Sequence, residues 1–311
     1  MNVLSSLLSV AAKQGVFRYH PKCKRIPLTH LSFADDLLVF CHGSLESLLS
    51  VQSTLELFYD ISGLKLDAMK TEFFAYGLND YALDLIQSAT GFRLAYLPVR
   101  YLGVPLVTRK LTGRDCSALL ERVKGKLRQW SNKNLSFGGR LQLVKTVLFS
   151  IFNYWSRQLI LPKGIISDIE RLRMRFFWKG CDTPARGVRV GWHKVCSLKS
   201  EGGLGLRDLA LWSKGCCLML IRNILANEGS LWIAWIQEYC FKIVSFWEAE
   251  VRAHFSWILK KLLKLREVAR CMFLPSVDWN LVRGKWIWDK VRICRDKVRW
   301  HKDHLVPCPY S

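Results

Sequence analysis

No aspartate or glutamate precedes Asp35 in this chain, so its first two acids, Asp35 and Asp36, stand side by side after a long stretch without negative charge. No run of about 18 uninterrupted apolar residues exists, which leaves nothing suited to span a membrane as a helix. The apolar opening Met1–Ala12 lacks a basic leader and a small-residue cleavage pattern, so it reads as a helix and not as a secretory signal. No C-x-x-C pair occurs among the 11 cysteines, whose number is odd and whose spacing forms no paired framework. Such thiols suit a reducing compartment, where they serve as small core residues; an intracellular protein of nucleus or cytoplasm is expected. Internal repeats and low-complexity tracts are also missing. Gly202-Gly203-Leu204-Gly205 is neither a P-loop nor a dinucleotide fingerprint, because no Lys-Ser/Thr follows it. Cys294, His301, His304 and Cys308 have ligand-type chemistry but not a zinc spacing, and no zinc is expected.

What is present is apolar bulk and positive charge. Half of the 311 residues are hydrophobic, with 13 Trp and 16 Phe, enough for one large core or two smaller ones. The charge is unevenly placed. Residues 1–100 hold 9 Lys+Arg and 9 Asp+Glu, whereas residues 101–311 hold 38 against 16, which is the whole excess of +22. A neutral first third joined to a basic remainder points to a polyanion partner, nucleic acid before acidic lipid; solvated surface lysines are the plain alternative.

The periodicity predicts an α+β fold. Met1–Lys13 has helical spacing. Leu28–Phe33 and Leu37–Cys41 flank Ala34-Asp35-Asp36 as the strands of a hairpin. Ser44 opens a helix through Ile61, stopped by Gly63. Short strands at Leu64–Leu66 and Thr71–Tyr76, a helix at Tyr81–Ala89 and an extended run at Tyr101–Val107 complete a first domain, residues 1–108. Basic amphipathic helices at Leu119–Trp130, Arg140–Arg157 and Ile165–Trp178 form a second, residues 109–182. Trp-rich helices at Leu209–Leu225, Leu231–Tyr239 and His254–Met272 belong to a third, residues 183–311, whose tail after Pro275 shows no closing element.

Two adjacent carboxylates inside apolar sequence are costly unless a cation meets them or a tip exposes them. Two-metal phosphoryl transfer uses such carboxylates to hold divalent ions roughly 3.5–4 Å apart, while a plain hairpin turn also suits Asp. The cations Arg122, Lys124, Lys126 and Arg128, and later Arg171, Arg173 and Arg175, recur at spacings that put several on one helix face, as phosphate contacts require. Trp130, Trp155 and Trp178 are placed either to stack on bases or, the commoner use, to anchor a core.

Five segments in order carry a resemblance. Thr29–Phe40 (THLSFADDLLVF) resembles the [FY]-A-D-D motif of plant-type LINE (non-LTR retrotransposon) reverse transcriptases. Gly63-Leu64-Lys65-Leu66 with Lys70-Thr71 resembles the next palm motif, with Asp67 where Asn or Ser is usual. Leu97–Leu106 (LPVRYLGVPL) is similar to the segment supporting the primer end. Leu135–Val144 (LSFGGRLQLV) looks like the start of the thumb helix. Gly191–Leu209 is similar to the connecting region, with Leu198 where Pro is usual.

The resemblance implies a partial polymerase palm of short antiparallel strands plus helices, then a helical thumb and a helical connecting region. It implies Asp35 and Asp36 as ligands of Mg²⁺ or Mn²⁺ and Lys70 beside the departing pyrophosphate. Tyr101, Leu102 and Gly103, with Lys124, Lys126, Arg128 and Arg140, would hold a DNA primer on an RNA template. In that family a further catalytic Asp comes from an earlier motif, together with the fingers. Neither is matched here, and no acid before Asp35 can substitute, so the chain alone is expected not to polymerise DNA.

Overall fold

The computed structural model describes residues 2–292 apart from 132, 182–189, 274–276 and 280. Cys294, His301, His304 and Cys308 therefore lie outside the described residues, as does most of the glycine-rich stretch 180–191. The fold is mixed α and β and mainly helical. The first elements are α1 (Asn2–Lys13), β1 (His30–Phe33), β2 (Asp36–Val39), α2 (Leu45–Ser62), β3 (Glu72–Phe73), α3 (Asp80–Thr90), β4 (Arg93–Leu94), β5 (Val99–Tyr101) and β6 (Val104–Leu106). Helices follow: α4 (Ser117–Ser131), α5 (Phe137–Leu143), α6 (Phe149–Gln158), α7 (Lys163–Lys179), α8 (Trp192–Val195) and α9 (Leu209–Leu225). The last are α10 (Leu231–Ile236), α11 (Trp257–Lys264), α12 (Arg266–Phe273) and α13 (Gly284–Val291). None of the described helices is long and apolar enough to cross a membrane.

The strands form three separate pairs and no continuous sheet: β1–β2 and β5–β6 antiparallel, β3–β4 parallel. The expected strand at Leu64–Leu66 is not one, and the expected Thr71–Tyr76 strand shrinks to β3. The single extended run expected over Tyr101–Val107 is a hairpin, because Leu102 and Gly103 both take positive φ, +50° and +78°, and reverse the chain. The charged tail carries α13, which the sequence reading left without structure.

The chain divides into two compact units. Unit 1 is Met1–Leu97 with Gly229–Ser245. Its first core joins Leu4, Leu8, Phe17, Val51 and Phe58 of and around α1 and α2, with Leu37 and Val39 of β2 against them. Period-2 alternation explains why Leu37 and Val39 face that core together. A second, small core gathers Phe73, Ile86 and Phe92. Gly63, at φ +72°, ends α2 by returning its N–H to the carbonyl of Tyr59. The distant Gly229–Ser245 segment joins this unit through polar contacts. The indole N–H of Trp235 donates to the carbonyl of Lys22 at 2.9 Å, the Arg25 backbone N–H donates to the Tyr239 hydroxyl at 2.9 Å, and Arg25 pairs with Glu238.

Unit 2 is Pro98–Glu228 with Phe246–Ser311. Its core runs through α4, α6 and α7: Leu119, Val123 and Leu127 meet Leu148, Phe152, Ile169, Phe176 and Phe177. Val104 packs in this core, so β5–β6, grouped above with residues 1–108, belongs by packing to the helices that follow it. Between α5 and α6 the helix widens into a π-turn, Val144–Leu148, without breaking. The described cysteines are free thiols. Burial pushes those of Cys116 and Cys217 up to about 11, which keeps them protonated and inert.

The loop before α4 is closed by Asp115. Its carboxylate accepts from both terminal nitrogens of Arg109 (2.7 and 3.1 Å) and from the N–H and hydroxyl of Thr112 (2.7 Å each). The Arg109 hydrogen bonds, seconded by Thr112, hold this carboxyl well below the usual carboxylate range. A carboxyl depressed by folding stabilises the native state above its unfolded pKa of about 4, and that contribution is lost as pH falls toward the folded value. Asp115→Asn is therefore expected to lower the melting temperature at pH 7 and to flatten the decline in stability below about pH 4. Thermal unfolding of both proteins across pH 2.5–7 checks this, and parallel curves would refute it.

Candidate nucleic-acid interface

Asp35, Asp36 and Lys70 lie in unit 1; the remaining candidate residues lie in unit 2. In the β1–β2 hairpin Phe33 pairs with Asp36, which leaves Ala34 and Asp35 as a two-residue connection. Ala34 sits at φ +52°, and residues 31–36 are all exposed, Phe33 at 61%. Both carboxylates thus stand in solvent at the tip. The base of the hairpin is fixed instead: His30, half-buried on β1, meets the Ser5 hydroxyl through Nε2 (2.8 Å) and the Thr29 hydroxyl through Nδ1 (2.9 Å). Burial lowers the pKa of His30, which favours the neutral ring.

Two carboxylates are hard oxygen donors of the kind that suit Mg²⁺ or Mn²⁺. A two-ion site needs a further bridging carboxylate. Among the described residues no group of three or more His, Cys, Asp or Glu side chains comes together. The donors fit in kind and not in number, so no catalytic step through a metal is assigned to this chain.

Lys70 is brought to neither aspartate. Its ammonium pairs with Asp67 at 3.4 Å, and it is 86% exposed. Asp67 is the residue that departs from the family's usual Asn or Ser, and its second role is local: Oδ1 accepts the N–H of Met69 at 3.0 Å. This is an Asx turn, which Asn would make equally well; only the ion pair needs the charge.

In unit 2 the β5–β6 hairpin turns at Leu102-Gly103 with both residues at positive φ. That conformation is cheap for Gly103 and costs Leu102 about 1 kcal/mol. Tyr154 on α6 holds it, donating its hydroxyl to the Leu102 carbonyl at 2.5 Å. Between the hairpin tip and the helices lies a cleft of about 340 Å³, lined by Leu102, Arg122, Ser150, Ile151, Tyr154 and Trp155. Tyr154 and Ser150 were not singled out from the sequence, since a lone Tyr or Ser on a helix carries no signal until the hairpin is seen to meet it.

The α4 helix separates its two faces cleanly. Leu119, Val123, Leu127 and Trp130 are buried at helical spacing. Arg122 with Lys126, and Lys124 with Arg128, form two rows one turn apart that flank this stripe. Glu121 is the carboxylate they share, 3.3 Å from Lys124 and 3.5 Å from Arg128, and such exposed pairs are weak. The helix keeps a net positive charge in solvent.

Two other expectations change. Arg140 is half-buried: it donates to the Trp178 carbonyl at 3.0 Å, at the end of α7, and lies over the Phe137 ring. Burial lowers its pKa. Of Arg171, Arg173 and Arg175, only the first and last, four apart, share a face. Arg173 is fully buried, because residues two apart on a helix point about 200° apart. Trp130 and Trp155 are core residues, at 9% and 3% exposure.

No protein-family model matches the chain. Over 135 residues, 43% of the chain, it is 31% identical to an Arabidopsis thaliana protein that carries the provisional name ribonuclease H protein. The match spans 22% of that protein's length.

Two substitutions test these assignments. Asp67→Asn is expected to cost less than about 0.5 kcal/mol, the worth of an exposed pair, whereas Asp67→Ala also loses the turn and costs about 1 kcal/mol. Equal losses in denaturant unfolding would show that the charge, not the turn, matters. Tyr154→Phe is expected to destabilise unit 2 by about 1 kcal/mol and to speed amide exchange at Val104, read by hydrogen exchange.

Proposed function

We propose that the chain comprises palm, thumb and connecting-region sequence of a LINE-type reverse transcriptase, and that by itself it grips a primer–template duplex without extending it. The observation that carries the reading is α4, whose apolar stripe is buried while Arg122, Lys124, Lys126 and Arg128 line its outer flanks. Cations so arranged neutralise backbone phosphates without reading sequence. The five motif segments support the family, with unit 1 as the palm side and α4–α7 as the thumb. The turn at Leu102-Gly103, strained at Leu102 and braced by Tyr154, is the kind of rigid tip that supports a primer end. Partial similarity to a protein named for ribonuclease H is in keeping with a nucleic-acid partner. Mg²⁺ or Mn²⁺ would meet Asp35 and Asp36 only with a further carboxylate supplied. The free thiols agree with residence in the nucleus or cytoplasm.

The test uses a DNA primer annealed to an RNA template. Binding followed by fluorescence anisotropy should weaken steeply between 50 and 200 mM salt. The triple variant Lys124→Gln, Lys126→Gln, Arg128→Gln should lose up to about 3 from the slope of log affinity against log salt. Incubation with deoxynucleotides and Mg²⁺ or Mn²⁺ should give no extension. Extension that disappears in Asp35→Asn would mean that a complete metal site forms and that the chain is a polymerase in its own right.

A further inference from the structure

We propose that a second cleft in unit 2, about 460 Å³ in volume, is a phosphate-binding site for a nucleic-acid strand, built on Arg207 with Lys145, Lys285 and Arg173. That the phosphate belongs to nucleic acid rests on the function proposed above; that the cleft takes an anion stands on its own residues. Gly205 forms part of the wall, and the amides of the Gly203-Leu204-Gly205 segment that leads to it are already engaged. Gly203 donates to the Leu198 carbonyl at 2.8 Å, Leu204 to Val195 at 3.0 Å and Gly205 to Ser197 at 2.9 Å. A Cβ at Gly203 would lie 2.1 Å from the Ser197 carbonyl oxygen, so glycine is there for close packing. Any anion in this cleft must be held by side chains.

Those side chains are prepared for one. Arg207 lies against two aromatic rings that meet edge to face, its guanidinium carbon 4.7 Å from the centre of Phe149 and 4.6 Å from that of Trp212. Trp212 is itself fixed, since its indole N–H donates to Asn153 at 2.8 Å and its ring packs on Trp288. The two rings pack on the guanidinium from one side and restrict its freedom, which reduces the side-chain entropy to be lost on binding. Partial burial there lowers its pKa, the sign of a cation short of solvation.

The acids that line the cleft already have partners. Asp208 accepts the Leu211 N–H at the start of α9, Glu201 pairs with Arg292, and Asp289 lies 3.5 Å from Arg292. Lys145, Arg207 and Lys285 have no carboxylate partner among the described residues. Arg173 adds the independent observation. It is fully buried and lines the cleft; Nη1 pairs with Glu170, whereas Nε and Nη2 have no hydrogen-bond partner among the described residues. Lys145 comes from the π-turn, Arg207 from the loop before α9 and Lys285 from α13, three segments that converge on one space. A phosphodiester offers acceptor oxygens on more than one side, as such a convergence needs.

The experiment compares wild type, Lys145→Gln/Lys285→Gln, Arg207→Gln and the α4 triple variant on the same duplex. Lys145 and Lys285 are exposed, so their double variant should melt with the wild type and keep the test independent of folding. Its salt slope should fall by about 1 to 2, one phosphate carrying about 0.9. Arg207→Gln should show a similar fall. An unchanged slope in the double variant, while the α4 variant still loses its own, would overturn the cleft and leave the proposed function standing. A wild type that holds no duplex would overturn both. Thermal stabilisation by inorganic phosphate that Arg207→Gln abolishes, and that the duplex does not compete away, would assign the cleft to a free anion and overturn the nucleic-acid source.

Discussion

A guanidinium buried to zero exposure inside an apolar core has to be neutralised where it stands, and the centre of unit 2 is organised around that demand at Arg173. Glu170, one turn earlier on α7, takes the charge at 2.8 Å. The other oxygen of Glu170 accepts the Leu209 N–H at 3.0 Å, and Arg173 also donates to the Arg207 carbonyl at 3.2 Å. One pair of side chains thereby ties α7 to the entry of α9. Such a pair adds little net stability over an apolar replacement, whereas removing only one partner costs about 3–5 kcal/mol. Its effect is positional: with the Arg207 backbone held by Arg173, the Arg207 side chain packs against the edge-to-face pair of Phe149 and Trp212. The placement of Arg207 in the cleft therefore depends on a charge buried in the core.

The same accounting shows why a net charge of +22 overstates the surface field. Arg140 closes the end of α7, Arg173 is in the core, and Arg222, 6% exposed, donates to Glu228 and to the Trp279 carbonyl. These arginines work as hydrogen-bond forks for carbonyls and carboxylates, a use that lysine could not replace. These three arginines are thus removed from the set that could meet a polyanion, whereas the α4 cations and Lys145 and Lys285 stay at the surface. Electrostatic attraction from these sites is long-ranged only at low ionic strength, which is why salt slope carries more information here than affinity at one salt concentration.

Much of this was legible from the residues. The helices α1, α2, α3, α4, α6, α7 and α9 follow their apolar period, and Gly63 marks the end of α2 by its positive φ. The β1–β2 hairpin lies where two β-prone runs flank a short acidic connection. Other features could not be read in that way. The β5–β6 turn puts Leu at φ +50°, a conformation no turn residue announces, and it is stabilised by Tyr154, far along the chain. Of Arg171, Arg173 and Arg175, read as giving several cations to one face, the first and last share a face four residues apart, whereas Arg173 points to the other side and into the core. The cleft depends on three separate segments, and only their packing reveals that Lys145, Arg207 and Lys285 share a space.

The tip of the β1–β2 hairpin poses the sharpest question of design. If Ala34-Asp35-Asp36 existed only to reverse the chain, Gly or Asn would be the economical residue at φ +52°, and Ala costs about 1 kcal/mol there. Phe33 beside it stands 61% exposed, which forgoes the burial that usually recommends an aromatic in a strand. Two like charges side by side add repulsion instead of relieving it. Each choice is poor for a bare turn, and together they are the choices expected of a tip whose carboxylates and aromatic meet something beyond unit 1's own core. Strain, exposure and like charge thus meet at one place, on a hairpin whose base is tied to α1 through His30 and Ser5, as the proposed function would ask of its metal-binding tip.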